Sequence, residues 1–84
     1  MRFTAYDYED VLKNAIKSDS TAEERTDLVR WCNDFAMNSW NGEYFSLERD
    51  KYNVFPVYKG VGEPDEDGEY VSYDLIDAEI RTNR

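Results

Sequence analysis

The residues of this chain that are able to do chemistry are carboxylates, and they gather in one stretch. Between Gly60 and Ile80 stand Glu63, Asp65, Glu66, Asp67, Glu69, Asp74, Asp77 and Glu79, with no Lys or Arg among them. The formal net charge of the whole protein is −9, so this segment nearly accounts for it. A field so one-sided repels nucleic acid and anionic membrane, and it attracts basic grooves or hard cations. The cation reading has a specific form. Glu63, Asp65 and Asp67 fall at positions 1, 3 and 5 of an EF-hand-like loop, with Gly68 at 6 and Asp74 at 12. It departs from that pattern at both ends, where Glu replaces Asp and Asp replaces a bidentate Glu. Pro64 stiffens its start, and Phe55 to Gly62 does not read as an entering helix.

The second chemistry is recognition of a basic protein surface. On a strand, residues i and i+2 lie about 6.6–6.8 Å apart on one face, so Asp77 and Glu79 make a short row of anions. Nucleic acid offers a comparable line of negative charge to Lys/Arg grooves. Nearby sequence supplies Asp74, Asp77 and Glu79 with no compensating base. Glu23, Asp27 and Asp34 form a second acidic patch on the outer face of a predicted helix, interrupted by Arg30. The simplest reading of Pro64 to Gly68 is a solvated hairpin loop, because Pro-Asp-Glu-Asp-Gly is favourable turn chemistry. Negative charge there also protects sheet edges and solubility.

Other chemistries lack their residues. There is no His, hence no Ser-His or Cys-His nucleophile pair and no imidazole ligand. Cys32 is the single cysteine and sits at an apolar helical position, where it reads as a small buried hydrophobe. Gly60 and Gly62 lack the following Lys-Ser/Thr of a phosphate loop. Carboxylate pairs that hydrolyse glycosides or hold magnesium need a cleft, and exposed loop acids do not make one. A non-enzymatic protein without a cofactor is the expectation.

The elements that must position these residues differ between the two halves. Tyr8, Val11, Leu12, Ala15 and Ile16 follow the i, i+3, i+4, i+7, i+8 spacing of one helix face. Thr4 with Asp7 resembles a capping box and starts this helix near Ala5; it ends around Ser18-Asp19. Ser20 with Glu23 repeats the signal, and a second helix runs from Thr21 to about Asn38. Its face carries Leu28, Trp31, Cys32, Phe35 and Ala36. The short link implies a helical hairpin. Asn41-Gly42 breaks the helix, and three β-like runs follow. The first carries Tyr44, Phe45 and Leu47; the second Tyr52, Val54, Phe55, Val57 and Tyr58; the third Tyr70, Val71, Tyr73 and Leu75. Glu48 to Lys51 is a charged turn. Pro56 marks the second run as an edge or a bulge. The third run then switches face to Ile76, Ala78 and Ile80, as a bulge near Leu75 produces. A helix from Tyr73 to Arg81 also fits the spacing; the strand is favoured.

The predicted architecture is α+β, an N-terminal helical hairpin packed on a small three-stranded antiparallel sheet, in one domain spanning residues 1–84. At 84 residues such a domain buries only about 60–65% of its unfolded surface, which leaves room for one modest core. Seven Tyr, four Phe and two Trp supply enough apolar mass to fold despite the charge. No apolar run approaches the roughly 18 residues of a membrane span, and no leader is evident, so a cytoplasmic location is expected.

The segment Asn38-Ser39-Trp40-Asn41-Gly42-Glu43-Tyr44 has the pattern Asn-x-Trp-Asn-x-Glu-Tyr. It resembles a stretch in one of the small acidic phage-encoded inhibitors of type II CRISPR nucleases, which is followed there by an acid-rich patch. The resemblance covers these seven positions and implies the class of small acidic anti-CRISPR and antirestriction inhibitors. Many of these cover a nucleic-acid-binding surface by DNA mimicry. The expected partner is therefore a basic nuclease or effector complex, with no direct binding of nucleic acid or membrane. The expected carriers are the eight carboxylates of the acidic segment, the patch on the second helix, and Trp40 and Tyr44 in a contact loop. An unpaired edge strand leaves room for a homodimer that joins two acidic strips. The alternatives are an interaction or assembly module binding through an aromatic surface, or a weak calcium loop.

Overall fold

The computed structural model describes Thr4 and residues 7–35, 39–40 and 42–83, with the backbone alone for Ser39 and Trp40. Its elements in chain order are α1 (Tyr8–Ile16), α2 (Ala22–Phe35), β1 (Ser39–Trp40), β2 (Phe45–Leu47), β3 (Tyr52–Val61) and β4 (Ser72–Thr82). The architecture is α+β with the helices N-terminal. The strands form one antiparallel sheet in chain order, in which two-residue β1 adds to the three expected strands.

The apolar stripe of α1 meets that of α2 across the corner at residues 17–21. Leu12 and Ala15 are buried, and Tyr8 and Val11 pack against the same cluster. Regular α-helix begins at Tyr8. Upstream, the Thr4 amide donates to Asp7 Oδ2 at 2.6 Å, and the Asp7 amide donates back to the Thr4 carbonyl at 3.1 Å. The expected start near Ala5 lies outside the described residues. At α2 the capping box forms one residue later than the spacing of Ser20 and Glu23 predicts. The Thr21 amide donates to Glu24 Oε1 at 2.9 Å, and the Glu24 amide donates to Thr21 Oγ1 at 3.1 Å. Ser20 is drawn elsewhere, its hydroxyl and carbonyl both accepting from the Arg25 guanidinium. Helix α2 is followed to Phe35; residues 36–38 of the longer helix expected lie outside the described residues.

Leu28, Val29, Trp31 and Cys32 of α2 join Phe45, Leu47, Val54 and Ala78 of the sheet in one buried cluster. Cys32 is fully buried, as its helical position predicts. Register explains which sheet face this is: Val54 lies opposite both Phe45 and Ile80, so these side chains share one side. The opposite side carries Phe55, with the Tyr44 ring against it at 4.9 Å between centroids, and the pair Glu79 and Arg81.

Two strand signals land where the sequence places them. Pro56 lies past the end of β2, whose partners on β3 are Tyr52 to Val54. Its missing N–H therefore interrupts no β2–β3 ladder. Between β3 and β4 the register runs Val57 opposite Asp77, then Tyr58 opposite Leu75, so Ile76 is the extra residue of a bulge. The bulge lets Leu75 and Ala78 both reach the core. The third run starts later than expected: Tyr70 and Val71 precede β4 and belong to the loop.

The β2–β3 turn holds a surprise in its backbone. Glu48, Arg49 and Asp50 all adopt positive φ, at 50°, 55° and 68°. Such non-glycine conformations cost energy and persist only where neighbours enforce them. Here Tyr8 Oη donates to Glu48 Oε1 at 3.3 Å, and the Ser46 hydroxyl donates to the Asp50 carboxylate. Asn83 closes the turn, its side-chain amide donating to the Asp50 carbonyl at 2.8 Å and its backbone amide to the Lys51 carbonyl at 2.8 Å. Burial, with the Glu48 charge adding to it, pushes the Tyr8 hydroxyl up to about 12. Among the described residues the Arg49 side chain makes no such tie, so Arg49→Gly is expected to stabilise the protein by about 0.5–1 kcal/mol. Thermal or urea unfolding of the two proteins checks this; a loss of stability overturns the strain assignment.

Candidate protein-interaction arm

The β3–β4 hairpin is longer than the body that supports it. Near its root Val54 and Ala78 are buried under α2, but beyond the bulge the side chains emerge on both faces. Val57, Tyr58, Val61, Tyr73 and Ile76 are between 41% and 50% exposed. The molecule is accordingly elongated, 42 × 28 × 25 Å. The distal hairpin is a two-stranded arm, and the loop at residues 62–71 is its tip.

Glu63, Asp65, Glu66, Asp67 and Glu69 are brought together on that tip, all exposed. The tip is internally tied. Asp65 Oδ1 accepts from the amides of Asp67 and Glu69, both at 2.9 Å. Its own amide donates to the Glu69 carbonyl at 2.7 Å, and the Gly68 amide donates to the Asp65 carbonyl at 3.0 Å. Gly68, at φ 82°, supplies the left-handed step that closes the turn. Asp65 thus organises the loop, whereas Glu63, Glu66 and Asp67 make no side-chain hydrogen bond or ion pair among the described residues.

Aromatic packing anchors the tip to the arm. The Tyr73 hydroxyl donates to Glu69 Oε2 at 3.0 Å and accepts from the Tyr70 amide at 3.2 Å. The Tyr70 and Tyr73 rings meet edge to face at 5.8 Å. Tyr70 lies directly on the backbone of Gly60, where a Cβ would come within 2.2 Å of the ring. Glycine is needed there because an aromatic ring occupies the side-chain position. Gly60→Ala is expected to drive Tyr70 off the arm, at a cost on the order of 1–3 kcal/mol. Loss of hydrogen-exchange protection confined to residues 60–73 is the readout; an unchanged tip contradicts the assignment.

The remaining predicted carboxylates sit differently. Asp74 is opposite Lys59 across the ladder. Asp77, at the arm's root, accepts two hydrogen bonds from Arg25 of α2, from Nε at 2.7 Å and Nη2 at 3.2 Å. Glu79 pairs with Arg81 at 2.7 Å. The short row expected from Asp77 and Glu79 therefore has a base on each member, and Asp74 has one as its cross-strand neighbour. On α2, Glu23 and Asp34 are exposed, while Asp27 is partly buried and paired with Arg30 at 3.1 Å. None of these three lies on the arm. Tyr44 is partly buried against Phe55 on the outer sheet face. The Trp40 indole lies outside the described residues, though its backbone pairs with Phe45.

Hydrogen bonds from Arg25, then from the Ala78 amide, hold the Asp77 carboxyl below its ordinary range. Glu79 is lowered by Arg81 in the same way. A depressed folded-state value gives stability that is present above the ordinary Asp range and is lost as pH falls through the depressed value. Asp77→Asn is thus expected to be less stable than the parent at neutral pH, with the gap closing below about pH 4. Acid unfolding curves for the two proteins test the sign.

The EF-hand register does not become a cage. Asp65 Oδ1 is occupied by two backbone amides, and Asp74 lies back in β4 opposite Lys59. Among the described residues no three Cys, Asp or Glu side chains are placed to hold a metal ion. No helix among them is long and apolar enough to cross a membrane. The feature that sequence reading missed is the tyrosine cluster around Gly60. Its one local signal was a glycine inside a β-like run, which marks close approach of another group. Compared with protein-family models, curated proteins and solved structures, the chain finds no match.

Proposed function

We propose that this protein is a non-enzymatic inhibitor whose acidic arm occupies the basic nucleic-acid-binding surface of a partner in the bacterial cytoplasm. A CRISPR effector or a restriction-type nuclease is the partner class implied by the Asn38–Tyr44 resemblance. The observation that carries this reading is the tip itself: five carboxylates on an internally hydrogen-bonded loop at the end of a projecting hairpin. A loop already ordered loses little entropy on docking, and its summed field speeds encounter with a basic groove. Because Asp77 and Glu79 are each paired with an arginine, this reading assigns the docking charge to the tip rather than to β4.

The test is inhibition of DNA binding by a purified type II CRISPR effector and a restriction nuclease, with salt raised from about 50 to about 200 mM. Inhibition that weakens steeply with salt and is relieved by excess DNA supports mimicry. Association that survives high salt and is lost on Tyr58→Ala favours a second reading, an interaction module using the exposed side chains of the arm. That reading rests on the exposure of Val57, Tyr58, Val61, Tyr73 and Ile76.

A further inference from the structure

One face of the arm is built from tyrosine. Tyr58 and Gly60 are i and i+2 on β3 and share a side. Tyr73 is opposite Gly60 and therefore diagonal to Tyr58, with Leu75 between them opposite Tyr58. Diagonal neighbours of this kind are about 7–8 Å apart. Tyr70 completes the set by lying on Gly60 from the same side, because the clash it would make is with a Cβ at that position. The Tyr70 ring fills the place of a side chain at residue 60 and meets the Tyr73 ring edge to face at 5.8 Å, so the rings form one aromatic surface. Tyr58 is 50% and Tyr73 48% exposed, high values for rings on a paired strand.

Exposed aromatic rings attract cations over their faces, and Arg more than Lys, because a planar guanidinium stacks while it donates sideways to an acceptor. The acceptor is already in place at Tyr73, whose hydroxyl is 3.0 Å from Glu69 Oε2. The protein displays the same three-part contact on the other side of its sheet. There the Arg81 guanidinium lies 4.5 Å from the Phe55 ring centroid while pairing with Glu79 at 2.7 Å. On the arm the ring and the carboxylate are present, and the guanidinium is what a partner would bring.

We infer that the face formed by Tyr58, Tyr70 and Tyr73 receives arginine side chains of a partner protein, stacked on the rings and paired with Glu69. This rests on the reading of the arm as an acidic docking element and adds which basic residue it selects. Charge complementarity sets the occupant: the distal arm and tip carry six carboxylates, Glu63 to Glu69 and Asp74, against Lys59 alone.

The experiment compares fluorescent oligoarginine and oligolysine peptides of equal length, titrated with the protein at low salt. The parent is expected to bind oligoarginine roughly fivefold more tightly than oligolysine, as one or two cation–ring contacts provide. Tyr58→Leu and Tyr73→Leu keep every carboxylate, and each is expected to narrow that preference. Circular dichroism of both variants confirms that they are folded. Equal binding of the two peptides to the parent overturns the inference while leaving the acidic arm as a docking element. A preference that persists in both variants overturns it too, since carboxylates alone would then select arginine. Failure of both peptides to bind at low salt removes this inference and the acidic-docking reading together.

Discussion

Replacing Glu63, Glu66 and Asp67 together by Lys is expected to abolish association with a basic partner while leaving the fold intact. Those three side chains make no hydrogen bond or ion pair among the described residues, so reversing them removes no internal contact. Asp65 is kept, because its carboxylate accepts the amides of Asp67 and Glu69 and shapes the loop. The local charge changes by six units at one end of the arm. Against a basic groove that converts attraction into repulsion, worth several kcal/mol, or on the order of a hundredfold or more in affinity at low salt. Most of the loss should appear in the association rate, and the difference should shrink as salt rises. A control reversal of Glu23 and Asp34 on α2, away from the arm, should do much less. Equal losses from both sets would show that net charge matters and the arm does not.

The largest effect on stability is expected from Leu28→Ala. Leu28 is fully buried in the cluster that joins α2 to the sheet. Truncating a buried leucine costs about 2–5 kcal/mol through lost transfer energy and the cavity left behind. A domain of this length has roughly 4–12 kcal/mol in total, so the variant should lose a large part of it. Val71→Ser provides the contrast. Val71 is fully exposed in the tip loop, and its replacement should shift stability by no more than about 0.5 kcal/mol. Urea unfolding of the three proteins measures both values. A small effect at Leu28 would mean that α2 is not essential to the sheet's core.

The two outcomes together separate body from arm. The body carries the stability: two helices and the proximal sheet close over one apolar cluster. The arm carries the charge and the exposed rings, and its order comes from local ties between Asp65, Gly60, Tyr70 and Tyr73. Substitutions at its exposed positions are therefore readable in binding without the confusion of global unfolding. Gly60 is the exception, since its backbone is itself a packing surface.

Several features were legible in the residues because the forces behind them act over a few positions. The helical stripe of Tyr8, Val11, Leu12 and Ala15 follows from the 3.6-residue period and packs on the core, whereas Ile16, its fifth expected member at the end of α1, is exposed. The switch from Leu75 to Ile76, Ala78 and Ile80 forecast a bulge near Leu75, since strand alternation has a strict period of two. The bulge is there, but Ile76 is its extra, exposed residue, and of those three only Ala78 and Ile80 share the core face. Pro56 announced a place where one edge of β3 is free, past the end of β2. The concentration of acid at residues 63–69 was plain, as was its turn chemistry. What tertiary structure alone decided is which acids of the wider segment gain a basic neighbour. Arg25 reaches Asp77 across 52 positions of chain, and Lys59 stands across the ladder from Asp74 only because the β3–β4 register, shifted by the bulge, sets them opposite. The capping box of α2 forms at Thr21 and Glu24, while Ser20, five residues from Arg25, accepts from the guanidinium that also holds Asp77. Tertiary packing also laid Tyr70 on Gly60, turning a gap in a strand into one face of the arm. Local pattern determines where charge and apolar surface exist along the chain; strand register and helix packing determine which of them meet.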